Sequence, residues 1–98
     1  MAANITITTK NGIKHAFQVL YIGLGQWGIS HPETGQAAGR AHQTIDGWSA
    51  FVQDSADPSI ETDTLHQTHL RDEFAAVYAV AHEYADRYLT RRPAQAAA

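Results

Sequence analysis

The hydrophobic pattern of this chain changes period part-way along. Ile5 and Ile7 alternate with Thr6 and Thr8, which predicts a half-buried strand of β-branched residues. Asn11-Gly12 comes next, a pair that tolerates positive φ at both positions and marks a hairpin. A second strand is predicted from Ile13 to Ile22, with Ile13, Phe17, Val19 and Tyr21 on one face. Its other face carries Lys14, Ala16 and Gln18 but turns apolar at Leu20 and Ile22, so cover on both sides is expected at that end. Gln26 to Ser30 predicts a third strand, His31 to Gly35 a proline turn, and Ala38 to Ile45 a weaker fourth strand.

Beyond Ile45 the spacing becomes helical. Asp46 is placed to cap a short helix carrying Trp48, Phe51 and Val52. Asp57-Pro58 is a second helix-start signature. Leu70, Phe74, Val77, Ala81, Tyr84 and Tyr88 then recur at intervals of four and three, one stripe of an amphipathic helix, with Asp72, Ala79, Glu83 and Asp86 opposite. That helix is expected to begin between Pro58 and Thr64 and to end near Arg92, before Pro93. The predicted fold is α+β: a three- to four-stranded antiparallel sheet, a short helix at its edge, and one long C-terminal helix across one face. Residues 1–93 form a single domain in this reading, and 94–98 an Ala-rich tail.

Composition narrows the chemistry. The chain has 98 residues, 44% apolar and 17% charged, within the range of one folded domain. It contains no cysteine, which excludes disulfides, thiolate nucleophiles and thiolate metal sites. The first residues lack the basic and apolar regions of a secretory signal, and no apolar stretch reaches bilayer length, so a cytoplasmic protein is expected. The net charge of −3 disfavours wrapping of nucleic acid by phosphate neutralisation.

Three sets of residues invite a functional reading. Gly23-Leu24-Gly25-Gln26-Trp27-Gly28 satisfies G-x-G-x-x-G and resembles the dinucleotide-binding fingerprint of nicotinamide- and flavin-dependent oxidoreductases. That fingerprint needs a helix opening at the third glycine, and Pro32 leaves no room for one. The glycines are instead expected to permit a tight connection beside Trp27, and no cofactor is predicted. His66, His69 and Glu73 fall on one helical flank and form a candidate set for zinc or iron, although the His-Glu-x-x-His order of metalloproteases is missing. Pairing across the helix surface is the simpler account of the same spacing. His15, His31 and His42 are isolated along the chain.

The charge map is the third set. No Lys or Arg lies between Arg40 and Arg71, while Asp46, Asp54, Asp57, Glu61 and Asp63 fall there, five of the ten acidic residues. Helix caps explain some of these acids; a docking face for a basic partner explains why no cation is interspersed. Of the aromatics, Trp48 and Tyr84 are assigned to the core, and Trp27 is left for an interface.

No reaction is identified by these features. The expected function is therefore a non-catalytic protein-binding module, a stoichiometric inhibitor or modulator of a larger protein whose basic surface handles nucleic acid. It is similar in kind to phage and mobile-element accessory proteins such as anti-CRISPR and anti-restriction proteins. The expected interface comprises Asp46, Asp54, Asp57, Glu61, Asp63 and Trp27. The alternatives are a protein that self-associates through a sheet edge, and a small metal-dependent enzyme built on His66, His69 and Glu73.

Overall fold

The computed structural model describes residues 2–32, 36–53 and 63–89. Six strands form one antiparallel sheet in chain order: β1 (Ala2–Thr8), β2 (Lys14–Gly23), β3 (Gln26–His31), β4 (Gln36–Thr44), β5 (Gly47–Gln53) and β6 (Asp63–Leu70). One helix, α1 (Glu73–Tyr84), comes after them and continues into a π-helical segment, Ala85–Leu89. The sheet is thus a six-stranded meander, not three or four strands, and there is no separate short helix among the described residues. Residues 94–98 lie outside the described residues.

The first four strands lie where the alternation puts them. Asn11-Gly12 makes the first turn: Gly12 has φ 81°, and the Thr9 amide donates to the Ile13 carbonyl at 2.8 Å. The Gly23–Gly28 run joins β2 to β3. Leu24 and Gly25, at φ 55° and 71°, are the two residues of that tight hairpin turn, and the Gly25 carbonyl accepts from the Gln43 amide at 2.8 Å. The third glycine, Gly28, therefore lies inside the strand β3, not at the start of a helix whose N-terminus could hold a pyrophosphate.

Two predicted helical segments are strands. Ile45 and Asp46 form a two-residue turn between the paired Thr44 and Gly47, so Asp46 turns a hairpin instead of capping a helix. Gly47 has φ 138°, and a Cβ there would stand 2.6 Å from the Leu70 carbonyl oxygen. Trp48, Ala50 and Val52 then face the helix side of β5. The stretch from Asp63 to Leu70 pairs with β5 as the last strand. The helix begins only after it, where the Asp72 carboxylate accepts from the Ala75 amide at 2.8 Å.

One face of the sheet and one face of α1 make the core. Cross-strand pairing lines up Val19, Ile29, Gly39 and Val52 in one row and Trp27, Ala41 and Ala50 in the next. Ala76, Val77, Val80, Ala81 and Tyr84 of α1, with Ala85 and Leu89, close over them. The buried stripe is rotated from the predicted one: Val77, Ala81 and Tyr84 are common to both, but Phe74 is 60% exposed and Leu70 belongs to β6. The small side chains of Ala76 and Ala81 and the missing one of Gly39 let the helix lie close to β4. The helix covers chiefly β4, β5 and β6, and leaves the β1 end of the sheet thinly covered. No helix among the described residues is long and apolar enough to cross a membrane.

Candidate functional site

Of the predicted acidic face, Asp46 and Asp63 lie among the described residues. Asp46 sits in the turn before β5, and Asp63 pairs with Gln53 at the far end of the same strand. Seven residues of strand hold those two ends about 20 Å apart. Asp46 faces His69 across 3.6 Å at an exposed corner. Asp54, Asp57 and Glu61 lie outside the described residues.

Trp27 is a core residue, 9% exposed. Its indole N–H donates to the Glu73 carboxylate at 2.8 Å, and its ring meets Tyr21 edge-on, 5.1 Å between centroids. The assignment of Trp27 to an interface is therefore corrected: packing and one charge-assisted hydrogen bond across 46 residues of chain occupy it. Trp27→Phe keeps most of the packing and removes the donor from a partly buried carboxylate. It is expected to destabilise the fold by about 1.5–3 kcal/mol, read by chemical denaturation; a midpoint equal to wild type would show that the bond contributes nothing in solution.

His66, His69 and Glu73 do not converge. His66 lies 3.6 Å from Glu83, His69 turns to Asp46, and Glu73 holds Trp27. His69 sits at the irregular end of β6 with φ 59°, which separates it from His66 by a break in the strand instead of a turn of helix. Among the described residues no three His, Cys, Asp or Glu side chains are grouped to hold a metal ion. Glu83 also accepts from the Arg87 guanidinium at 2.8 Å, a contact that raises the Arg87 pKa against the opposing effect of burial. His15 and His31, isolated along the chain, are neighbours in space, with ring centroids 5.8 Å apart, and His31 is buried against Phe17.

What the described residues do build is a sheet face that no other described element covers. Opposed residues in an antiparallel ladder share a face, and one row crosses all six strands: Ala2, Leu20, Gly28, Arg40, Phe51, Leu65. This is the face away from α1. Leu20, Ile22 and Leu65 on it are 50%, 57% and 52% exposed. Gly28 has no side chain, and Ile22 lies over it, with Cδ1 3.1 Å from where a Cβ would be. The result is a shallow trough of about 340 Å³, floored by Gly28, Ser30 and Gly39 and walled by Leu20, Ile22 and Arg40. Lys14 and His42 share the parity of this face. Asp46, Asp72, Glu73, Glu83 and Asp86, the acids whose side chains are described, are all in the β4–β5 turn or the helical segment and its cap.

The sequence carried a signal for this site. Leu20 and Ile22 make the second strand apolar on both faces, which predicts cover on both sides. Among the described residues only the helix side is covered.

The class the fold defines is a six-stranded antiparallel meander backed on one face by a single helix. Compared with family models, with curated proteins and with solved structures, the chain shows no match.

Proposed function

We propose that this protein is a non-catalytic binding module that docks a partner protein on the face of its sheet opposite α1. The observation that carries the reading is the pair Leu20 and Ile22, large apolar side chains left about half exposed beside the trough, with the equally exposed Leu65 farther along the same face. Contiguous apolar surface with a polar surround is the usual mark of a protein interface. The trough at Gly28 supplies a depression for an anchor side chain, and Arg40, Lys14 and His42 set the charge. The partner fitted by this surface presents apolar anchors flanked by carboxylates. This reading differs from the basic partner expected from the acidic run, of which Asp54, Asp57 and Glu61 lie outside the described residues. Association here proceeds by burial of apolar area, with charge fixing register and encounter rate.

The test pairs fold and capture. Leu20→Ser and Lys14→Glu change exposed positions, so each is expected to shift stability by about 0.5 kcal/mol or less. Leu20→Ser is expected to abolish capture of the partner that wild type recovers from the native host, and Lys14→Glu to weaken it chiefly by slowing association. A recovered partner that binds both folded variants as wild type does would rule this face out.

A further inference from the structure

From the exposed edge of the sheet we infer that the protein forms a two-fold homodimer, with β1 of one copy paired antiparallel to β1 of a second, so that one sheet runs through both. Strand β1 is the outermost strand on its side, and among the described residues the hydrogen-bonding groups on its outer edge face no other strand. Its seven residues, Ala-Ala-Asn-Ile-Thr-Ile-Thr, pair with β2 in unbroken register from Ala2–Leu20 to Thr8–Lys14. It has no charge, no proline and no bulge, the devices by which edge strands resist pairing. The opposite edge has them: β6 slips register twice against β5, turns His69 to φ 59° and carries Asp63 and two histidines.

A second observation points to the same edge. On the helix side the core is not closed there. An apolar cleft of about 40 Å³ lies between the sheet and the start of α1, lined by Ala3, Ile5, Val19, Trp27, Phe74 and Val77, with Glu73 beside them. Phe74 is a large apolar side chain left 60% exposed beside it. A strand added to β1 would lay side chains next to Ile5 and Phe74 and extend the cover that α1 gives chiefly to β4, β5 and β6.

The sequence of β1 selects a second copy as that strand. Centre the antiparallel pairing on Ile5. On the helix side Ile5 then meets Ile5, and Ala3 meets Ile7. On the open side Asn4 meets Thr6, and Ala2 meets Thr8. Apolar faces apolar, uncharged polar faces uncharged polar, and no like charges are opposed, which is what cross-strand pairs require. Lys10, just past the end of one β1, comes to the beginning of the other, where Glu73 shares a cleft with Ala3. The axis is perpendicular to the sheet, so the contact is isologous and closes as a dimer. Both open faces then lie on the same side. The dimer does not depend on the open-face partner proposed above.

Asn4 and Thr6 are exposed, off the core face, and opposed to each other across the dimer axis. Light scattering on the size-exclusion eluate is expected to give twice the 10.7 kDa chain mass for wild type. The double variant Asn4→Lys/Thr6→Lys is expected to keep the wild-type circular dichroism and fall to half that mass. Asn4→Glu/Thr6→Glu is expected to do the same, and an equimolar mixture of the two to recover the dimer, since each Lys then opposes a Glu. In wild type, hydrogen exchange of the β1 amides is expected to slow as protein concentration rises. A monomeric wild type, variants as dimeric as wild type, or β1 exchange independent of concentration would each overturn the inference. Loss of partner capture in Leu20→Ser with the dimer intact would bear on the open face alone.

Discussion

Gly39→Ala is expected to be among the most damaging single substitutions in this protein. Gly39 lies in β4 at φ 154°, in the range where a side chain is strained. The register between β3 and β4 slips there, with Ile29 opposite Gly39 and Ser30 opposite Ala37, so Ala38 is the extra residue of a bulge. A Cβ at Gly39 would collide with the Phe51 carbonyl oxygen of β5 and stand 2.8 Å from Val80 Cγ1 of α1. Neither neighbour is the loose end of a flexible chain: one is strand backbone, the other a fully buried valine. Backbone strain of about 1–3 kcal/mol and overpacking of about 1–3 kcal/mol act together, for a loss of about 3 kcal/mol or more. For a domain of this size that lowers Tm by on the order of 15 °C or more. Gly12→Ala is the control: φ is 81°, but no atom lies within 4 Å of the added methyl, so only the strain remains. If thermal melts show the two variants to be equally destabilised, the close packing of α1 on β4 is not what Gly39 serves.

The same close packing explains how much of the fold was legible. The hairpins at Asn11-Gly12 and Leu24-Gly25 and the alternation through Val19 to Ile29 gave the strands of the first half, because those strands pair regularly and bury large residues. Strand β5 was hidden for another reason. Its side chains alternate regularly, but the core face carries the small Ala50 between Trp48 and Val52 while the large Phe51 lies on the opposite face, which gives the uneven spacing of Trp48, Phe51 and Val52. Gly47, at φ 138° just after the two-residue turn, carried a hairpin signal, but an aspartate before an apolar run also reads as a cap. Strand β6 was absorbed into the helix because Leu70 happens to lie four residues before Phe74. The cap belongs to Asp72, two residues after Leu70, and the strand is marked by Thr64 and Thr68. The site was legible only as an anomaly, the apolar Leu20 and Ile22 on an otherwise polar strand face. The cross-strand row from Ala2 to Leu65 needs the register of all six strands and cannot be read from spacing.

Helix phase provides the second large effect. The stripe read from spacing puts Phe74 in the core; the structure puts it 60% exposed and makes Tyr84, 2% exposed, the largest fully buried side chain. Tyr84 stands at the end of α1 where three aromatic contacts meet: Phe17 edge-on at 6.1 Å, His31 at 6.2 Å and Tyr88 at 5.0 Å between centroids. Tyr88 in turn donates its hydroxyl to the Gln53 carbonyl at 3.0 Å, so this cluster fastens the π-helical segment to the end of β5. Tyr84→Ala removes the ring at the centre of that cluster, and the rigid sheet beneath it cannot collapse to fill the space. The expected loss is about 3–5 kcal/mol, with further loss of α1–sheet contact if Leu89 is released. Phe74→Ala, measured on dilute protein so that association does not contribute, is expected to stay within about 0.5 kcal/mol because its ring is largely in water already. A urea titration of the two variants separates the phases directly. A larger shift for Phe74→Ala than for Tyr84→Ala would mean that α1 presents the face centred on Phe74 to the sheet, and the contacts of Val80 with Gly39 and of Tyr84 with Phe17 would fall with it.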